Sequence, residues 1–272
     1  MPTSATLPLD VAAPDAVSAG GDEFTLAYRT SPAEVARVAD LMRLLPAGLS
    51  TALDIGARDG FLSKTLAQQG MHVTALDLEC PVVTHPRVSC VKGDATALQF
   101  GARSFDLVFC AEVIEHIPAP ALQAACKEMA RVADRFVLIG VPYKQDIRHG
   151  QTTCSSCGGI NPPWAHVNTF DEARLAGLFP SLKVISVSFV GQAEAGTNAA
   201  SAALMTFAGN PYGTYVQDEP CIHCTARLLP PATRTLPQKI ATKAALSLRG
   251  LLARFHRPHG NWIHVLFEKV AD

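Results

Sequence analysis

Ala52-Leu53-Asp54-Ile55-Gly56-Ala57-Arg58-Asp59-Gly60-Phe61 decides the reading of this chain. A short apolar run ends in an acid, turns through Gly56 and Gly60, and enters a segment with helical spacing. Twenty-one residues beyond Gly56, a second apolar run ends in Asp77. A glycine turn beneath a helix start, with an acid at the next strand end, is the layout by which open parallel sheets hold nucleoside ligands.

Working outward, strands are expected at Thr51–Ile55, His72–Leu76, Val88–Val91, Phe105–Cys110 and Phe136–Val141, with helices at Phe61–Gln69 and Ala119–Val132. Upstream, Ser31-Pro32-Ala33-Glu34 reads as a capping box with Pro at the first helical position, and apolar residues follow at helical spacing to Pro46. Strands alternating with helices imply a parallel sheet with right-handed crossovers. Two more strands, Leu182–Val190 and Ile263–Val270, come late. The fold class is therefore α/β. Between the late strands, residues 237–255 have helical spacing.

The 272 residues suffice for one α/β domain with insertions. With 23 Lys+Arg against 24 Asp+Glu, overall charge points to no polyanionic partner. No apolar run approaches the ~18 residues of a membrane span. The N-terminal residues 1–22 lack a basic n-region and an apolar core, so they read as a disordered tail rather than a secretory signal. Scattered Cys80, Cys90, Cys110 and Cys126 suit a reducing compartment, so a cytoplasmic location is expected. The core is assigned to 23–142, 165–190 and 261–272. Residues 143–164 and 191–260, rich in Gly, Pro, Ala and Thr, read as insertions forming a cap on one rim of the sheet.

A dinucleotide turn needs Gly at its second position so that backbone approaches a diphosphate. Arg58 stands there. No Tyr in the chain has Lys four residues on, so hydride-transfer chemistry also lacks a proton donor. A sulfonium nucleoside fits better, having no phosphate but an ammonium and two ribose hydroxyls for carboxylates to bind. Asp54 is placed for the ammonium, Asp77 for the ribose, Asp94 for the adenine amino group, and Glu112 for the mouth where the reacting methyl would sit.

Five segments occur in order: Leu53-Asp54-Ile55-Gly56 with Gly60, Ala75-Leu76-Asp77, Gly93-Asp94-Ala95, Phe105-Asp106-Leu107-Val108, and Glu112-Val113-Ile114-Glu115-His116-Ile117. On them the chain resembles the class I S-adenosylmethionine-dependent methyltransferases over residues 50–142. The departure is Arg58, where that family usually has Gly. The resemblance implies a Rossmann-like seven-stranded sheet of order 3-2-1-4-5-7-6 with helices on both faces, and S-adenosylmethionine held by Asp54, Gly56, Gly60, Asp77, Asp94 and Glu112. The other reading is an α/β domain whose acids merely end strands.

Methyl transfer from a sulfonium is an in-line displacement governed by positioning, and a hydroxyl acceptor benefits from a base. Glu112, His116 and His166 are the candidates. Glu112, Glu115 and His116, at i, i+3 and i+4, are expected on one helix face. With His166 they resemble the magnesium site of small-RNA 2′-O-methyltransferases, which makes RNA methylation the alternative; a non-catalytic cofactor binder is a further one.

Cys154-Ser155-Ser156-Cys157 and Cys221-Ile222-His223-Cys224 are Cys-x-x-Cys knuckles separated by 63 residues, one in each insertion. Four thiolates are the tetrahedral set Zn²⁺ prefers, so a closed structural zinc stapling the insertions is expected; unrelated buried pairs, a redox dithiol or disulfides are the alternatives. From Ala226 to Gly260 there are seven basic side chains and no acid. This points to contact with an anionic substrate or a membrane surface, or to a solvated positive face. Methyltransferases with such knuckles resemble tailoring enzymes, which makes a small-molecule, glycan or natural-product hydroxyl the expected acceptor.

Overall fold

The computed structural model describes residues 27–270; the expected tail lies outside the described residues. Helix α1 (Pro32–Arg43) starts where Ser31 Oγ accepts the Glu34 amide proton, with Pro32 at N1. Only half of the expected capping box forms. The Glu34 carboxylate turns instead to Arg37, accepting two bonds of 2.7 and 2.9 Å, and to Arg29.

Strands β1 (Thr51–Ile55), β2 (His72–Asp77), β3 (Val88–Lys92), β4 (Phe105–Ala111) and β5 (Ala133–Pro142) pair in parallel. Helices α2 (Phe61–Gln68) and α3 (Ala119–Val132) make crossovers. Beyond them, β6 (Thr152–Thr153) and β7 (Ile160–Asn161) form a separate two-stranded ribbon. Helix α4 (Glu172–Leu178) precedes β8 (Leu182–Val190), α5 (Ala199–Phe207) and α6 (Leu236–Ala253) follow, and β9 (Trp262–Lys269) inserts antiparallel between β5 and β8. The main sheet runs β3-β2-β1-β4-β5-β9-β8. Counting its seven strands alone, this is the expected 3-2-1-4-5-7-6 order.

The central strands are apolar on both sides because helices cover both faces. Val108 and Cys110 of β4 join α3 and α4 in one core, with Leu122, Met129, Leu175 and Leu178. Their neighbours Leu107 and Phe109 join α1 and α2 in the other, with Leu41 and Leu66. Each such fully buried side chain contributes about 2 kcal/mol of burial free energy. The register brings Ile55, Asp77, Lys92 and Ala111 to one rim, so the loops after β1, β2, β3 and β4 share one crevice edge.

Three elements escape the sequence pattern. Helix α4 is capped by Asp171, whose carboxylate accepts the Arg174 amide, and α5 by Asn198, which accepts the Ser201 amide. Helix α5 is too uniformly small and apolar to show a periodicity. The β6–β7 ribbon is only two residue pairs long.

Candidate active site

The loop after β1 is fixed before any ligand arrives. The amides of Gly56 and Ala57 both donate to the Leu76 carbonyl, at 2.8 and 3.1 Å, tying the turn to β2. Gly56 (φ 77°) and Gly60 (φ 71°) sit in the left-handed region. A Cβ on Gly56 would run into Val113, and one on Gly60 into Val83. Arg58 lies between them at φ 42°. That conformation explains why Gly is usual at this position and marks a strained turn. The Arg58 side chain is largely exposed, with its guanidinium 3.8 Å from Asp218.

The acids expected on the rim differ in surroundings. Asp54 is buried and its Oδ2 accepts from Ser63 Oγ at 2.5 Å. Burial pushes its carboxyl up to about 7 against that bond, with Asp59 and Asp77 adding to the rise. Asp77 accepts the amides of Arg58 and Leu78 at 2.9 and 2.7 Å. A carboxylate has about four lone-pair sites, so capacity for two hydroxyls remains. Asp94 is exposed, and the Thr96 amide and hydroxyl bound to its Oδ1 hold it below the usual carboxylate range.

The segment after β4 departs from expectation. Residues 112–117 form no helix. They make a turn in which Glu112 takes φ 58° and the His116 amide donates to the Val113 carbonyl. The i, i+3, i+4 face therefore does not exist, and Glu112 is not part of the cluster that Glu115 and His116 join. Its Oε2 accepts from Trp262 Nε1 on β9 at 3.2 Å, while its Oε1 is buried without a partner among the described residues. Burial raises this carboxyl above its usual range, against the pull of Arg37. Arg37, buried on α1, likewise leaves Nη1 unpartnered among the described residues. Arg37 and Trp262 escape a sequence reading because both look like ordinary interior positions of a helix and a strand.

Glu115, His116 and His166 do come together, with one ligand atom from each lying within 4.8 Å of the others. The two imidazoles meet edge to face at 4.6 Å between centroids. His166 Nδ1 donates to Gln145 Oε1 at 2.6 Å, which leaves Nε2 as the acceptor. Burial, with Arg58 nearby, lowers His116 to about 4, and burial beside His116 lowers His166 to about 3. Both are neutral at physiological pH. Burial and Glu112 push Glu115 well above the carboxylate range, and neither of its oxygens has a hydrogen-bond partner among the described residues. An orphaned buried carboxyl of this kind calls for a ligand or ion.

His166 is far from the turn in sequence but is stitched to it. The amides of Val167 and Asn168 both donate to the Glu115 carbonyl, at 2.9 and 3.1 Å. Asn168 Nδ2 donates to the Ile114 and Ile117 carbonyls, and its Oδ1 accepts from Arg174 at 2.6 Å. No sequence signal marks Asn168; its importance is purely one of placement.

The cysteines assemble from two loops. Cys154 and Cys224 Sγ lie 3.7 Å apart, as do those of Cys157 and Cys221, and all four lie within 4.8 Å of one another. A tetrahedron with ~2.3 Å metal–sulfur bonds has an edge of about 3.8 Å, so the set fits zinc and is too wide for disulfides. The knuckles share one backbone pattern. Cys154 N donates to Gly159 O and Gly158 N to Cys154 O; Cys221 N donates to Ala226 O and Thr225 N to Cys221 O. The left-handed residue is Gly158 (φ 73°) in one and Thr225 (φ 60°) in the other. The Ile222 amide donates to Asn161 Oδ1 and His223 Nε2 to the Ile160 carbonyl, joining the second knuckle to the ribbon that carries the first.

A profile described as "Methyltransferase domain" matches residues 53–135, from mid-β1 to the start of β5. Over that stretch the chain is similar to a methyltransferase domain. Among curated proteins it is similar to a ubiquinone biosynthesis O-methyltransferase of Xanthomonas axonopodis pv. citri, at 35% identity over 35% of this chain and 44% of that protein. A protein of the same description from Aromatoleum aromaticum is 37% identical over 29% of this chain and 38% of that one. The chain thus spans less than half the length of these relatives. Among solved structures, a putative methyltransferase from Bacillus halodurans C-125 matches with TM-score 0.54 and 13% identity, over 86% of this chain and 99% of that one. A SAM-dependent methyltransferase from Archaeoglobus fulgidus matches at 0.51 and 12%, over 92% and 100%. These two share the methyltransferase fold with this chain. The matched profile ends before both knuckles, His166 and α6.

Proposed function

We propose that the chain transfers a methyl group from S-adenosylmethionine to a hydroxyl of a small-molecule, glycan or natural-product acceptor. The observation that carries this reading is the order of Asp54, Gly56, Gly60, Asp77, Asp94 and Glu112 along one rim, at the ends of β1, β2, β3 and β4. The ubiquinone biosynthesis O-methyltransferases support oxygen as the acceptor atom.

S-adenosylmethionine, when bound, supplies a methyl on a sulfonium. In this reading Asp77 accepts from the ribose hydroxyls, Asp94 binds the adenine amino group, and the buried Asp54 and Glu112 face the ammonium and methyl end. The unpartnered Glu112 Oε1 and Arg37 Nη1 leave one acceptor and one donor for an amino-acid zwitterion. His166, held by Gln145 with Nε2 free, accepts a hydrogen bond from the acceptor's hydroxyl and orients it, with His116 packed against it.

The orphaned oxygens of Glu115 favour a second reading of the acceptor side, in which Glu115, His116 and His166 hold a divalent cation that binds the acceptor oxygen. Residues 143–164 and 191–260 are proposed as a cap over the rim, stapled by zinc on Cys154, Cys157, Cys221 and Cys224.

Calorimetry tests the core of the proposal. The protein should bind S-adenosylmethionine, and Asp77→Ala should weaken binding by about tenfold or more, the cost of an unmade charged hydrogen bond. Unchanged affinity would remove the ribose assignment. Full methylation of a hydroxyl acceptor after removal of divalent ions by chelation would sink the cation reading.

A further inference from the structure

Helix α6 carries two apolar faces. Ala241, Thr242 and Ala245 are buried, and the Ala245 carbonyl accepts from Ser201 Oγ of α5 at 2.8 Å, so this side is occupied within the fold. On the opposite side, Leu236, Ile240 and Leu251 continue into Phe255, just past the helix end, with exposures of 71%, 59%, 54% and 78%. At 100° per residue these four positions fall in one stripe. Lys239, Lys243 and Arg254 lie on that outward half and Arg257 just beyond it, all exposed and none in an ion pair among the described residues. Arg234 and Arg249 are engaged elsewhere, with Thr242 Oγ1 and with the Ala195 carbonyl beside Glu194.

The chemistry of this stripe selects its partner. A large apolar strip left in water normally marks an interaction surface. Aliphatic side chains bordered only by cations match the boundary between acyl chains and anionic headgroups. Helix α6 is a convex rod of about 27 Å, which suits a plane better than a groove. It carries too many charges to span: no helix among the described residues is long and apolar enough to cross a membrane. A polyanion such as RNA would use the lysines and arginines but leave Leu236, Ile240 and Leu251 in water.

We infer that α6 is a membrane-surface element that lies flat on an anionic lipid leaflet, with Leu236, Ile240, Leu251 and Phe255 entering the interface and the flanking cations meeting lipid phosphates. The inference does not depend on the methyl-transfer reading.

Flotation of the full-length protein with vesicles tests it. Binding is expected to phosphatidylcholine vesicles containing phosphatidylglycerol and not to phosphatidylcholine alone. Changing both Lys239→Gln and Lys243→Gln should weaken binding roughly thirtyfold, from about 1 kcal/mol per basic residue at the surface. Ile240→Ser with Leu251→Ser should weaken it about tenfold or more through lost apolar insertion. Circular dichroism and S-adenosylmethionine calorimetry on the same variants should match wild type, which separates failure here from failure of the cofactor site. Absence of vesicle binding would overturn the inference. So would a serine pair that binds anionic vesicles like wild type, or binding to heparin that the serine pair leaves intact while vesicles are ignored.

Discussion

The carboxylate rim and the cysteine cluster are both sites of several converging side chains, but they are held by different means. The rim residues sit at the ends of adjacent strands whose spacing the sheet sets, above two apolar cores. The cysteines sit in loops 63 residues apart, on a ribbon of two residue pairs, around a core of little more than Cys154, Cys221 and Leu228. The sheet can keep an empty crevice in shape. So small a cluster needs something at its centre to keep four sulfurs converged.

The largest effect expected from this contrast is on metal removal. Purified protein should hold about one zinc per chain, with apparent binding energies for such sites of about 10 kcal/mol or more. Chelation or Cys154→Ser should expose residues 143–164 and 191–236 to protease while the sheet stays folded. A metal-free sample equally resistant to protease would break the comparison.

An intermediate effect belongs to Asp54. Its folded value of about 7 lies above the ordinary 3.8. The folded state therefore binds the proton more tightly than the unfolded chain. Stability of the ligand-free protein is full below about 4 and falls as pH rises toward 7, by up to about 4 kcal/mol. A cofactor ammonium paired with Asp54 demands the ionised form. Affinity for S-adenosylmethionine should therefore rise with pH by up to about tenfold per unit below 7 and level off above it. Asp54→Asn should flatten both profiles, read by thermal melts and calorimetry. A wild-type profile equally flat would detach Asp54 from the ligand.

The smallest effect compares the knuckles with each other. Gly158 and Thr225 occupy equivalent left-handed positions, yet only one is glycine. Thr225→Gly relieves left-handed strain of about 1–2 kcal/mol against a backbone entropy cost of about 0.5–1 kcal/mol. The cap should gain about 0.5 kcal/mol, read as a small rise in the zinc-loaded melting temperature. A drop would show that the Thr225 hydroxyl, bound to the Cys224 carbonyl at 2.7 Å, matters more than its φ.

Legibility from sequence follows the same division. Strands β1 and β8 and helix α3 could be bounded to the residue, because apolar runs and turn residues mark their ends. The acids are legible because each closes an apolar run, and the cysteines because each pair has the spacing of a knuckle; their convergence is the work of the fold. What escaped is tertiary placement. The string from Glu112 to His116 has helical spacing, but Gly56 packs against Val113 and Trp262 draws Glu112 aside, so the segment turns instead. Arg37, Trp262 and Asn168 carry polar atoms into the site from positions whose local sequence shows only a helix, a strand and a loop.

The clasp between residues 166–168 and the turn after β4 has a consequence for how such a protein can change. Because the returning chain is buckled onto Glu115, Ile114 and Ile117, the excursion beyond Gln145, which holds His166, works like a handle: it can lengthen or shorten at its turns while His116 and His166 keep their mutual distance. Changes of loop length there leave the contact between the two imidazoles unaltered.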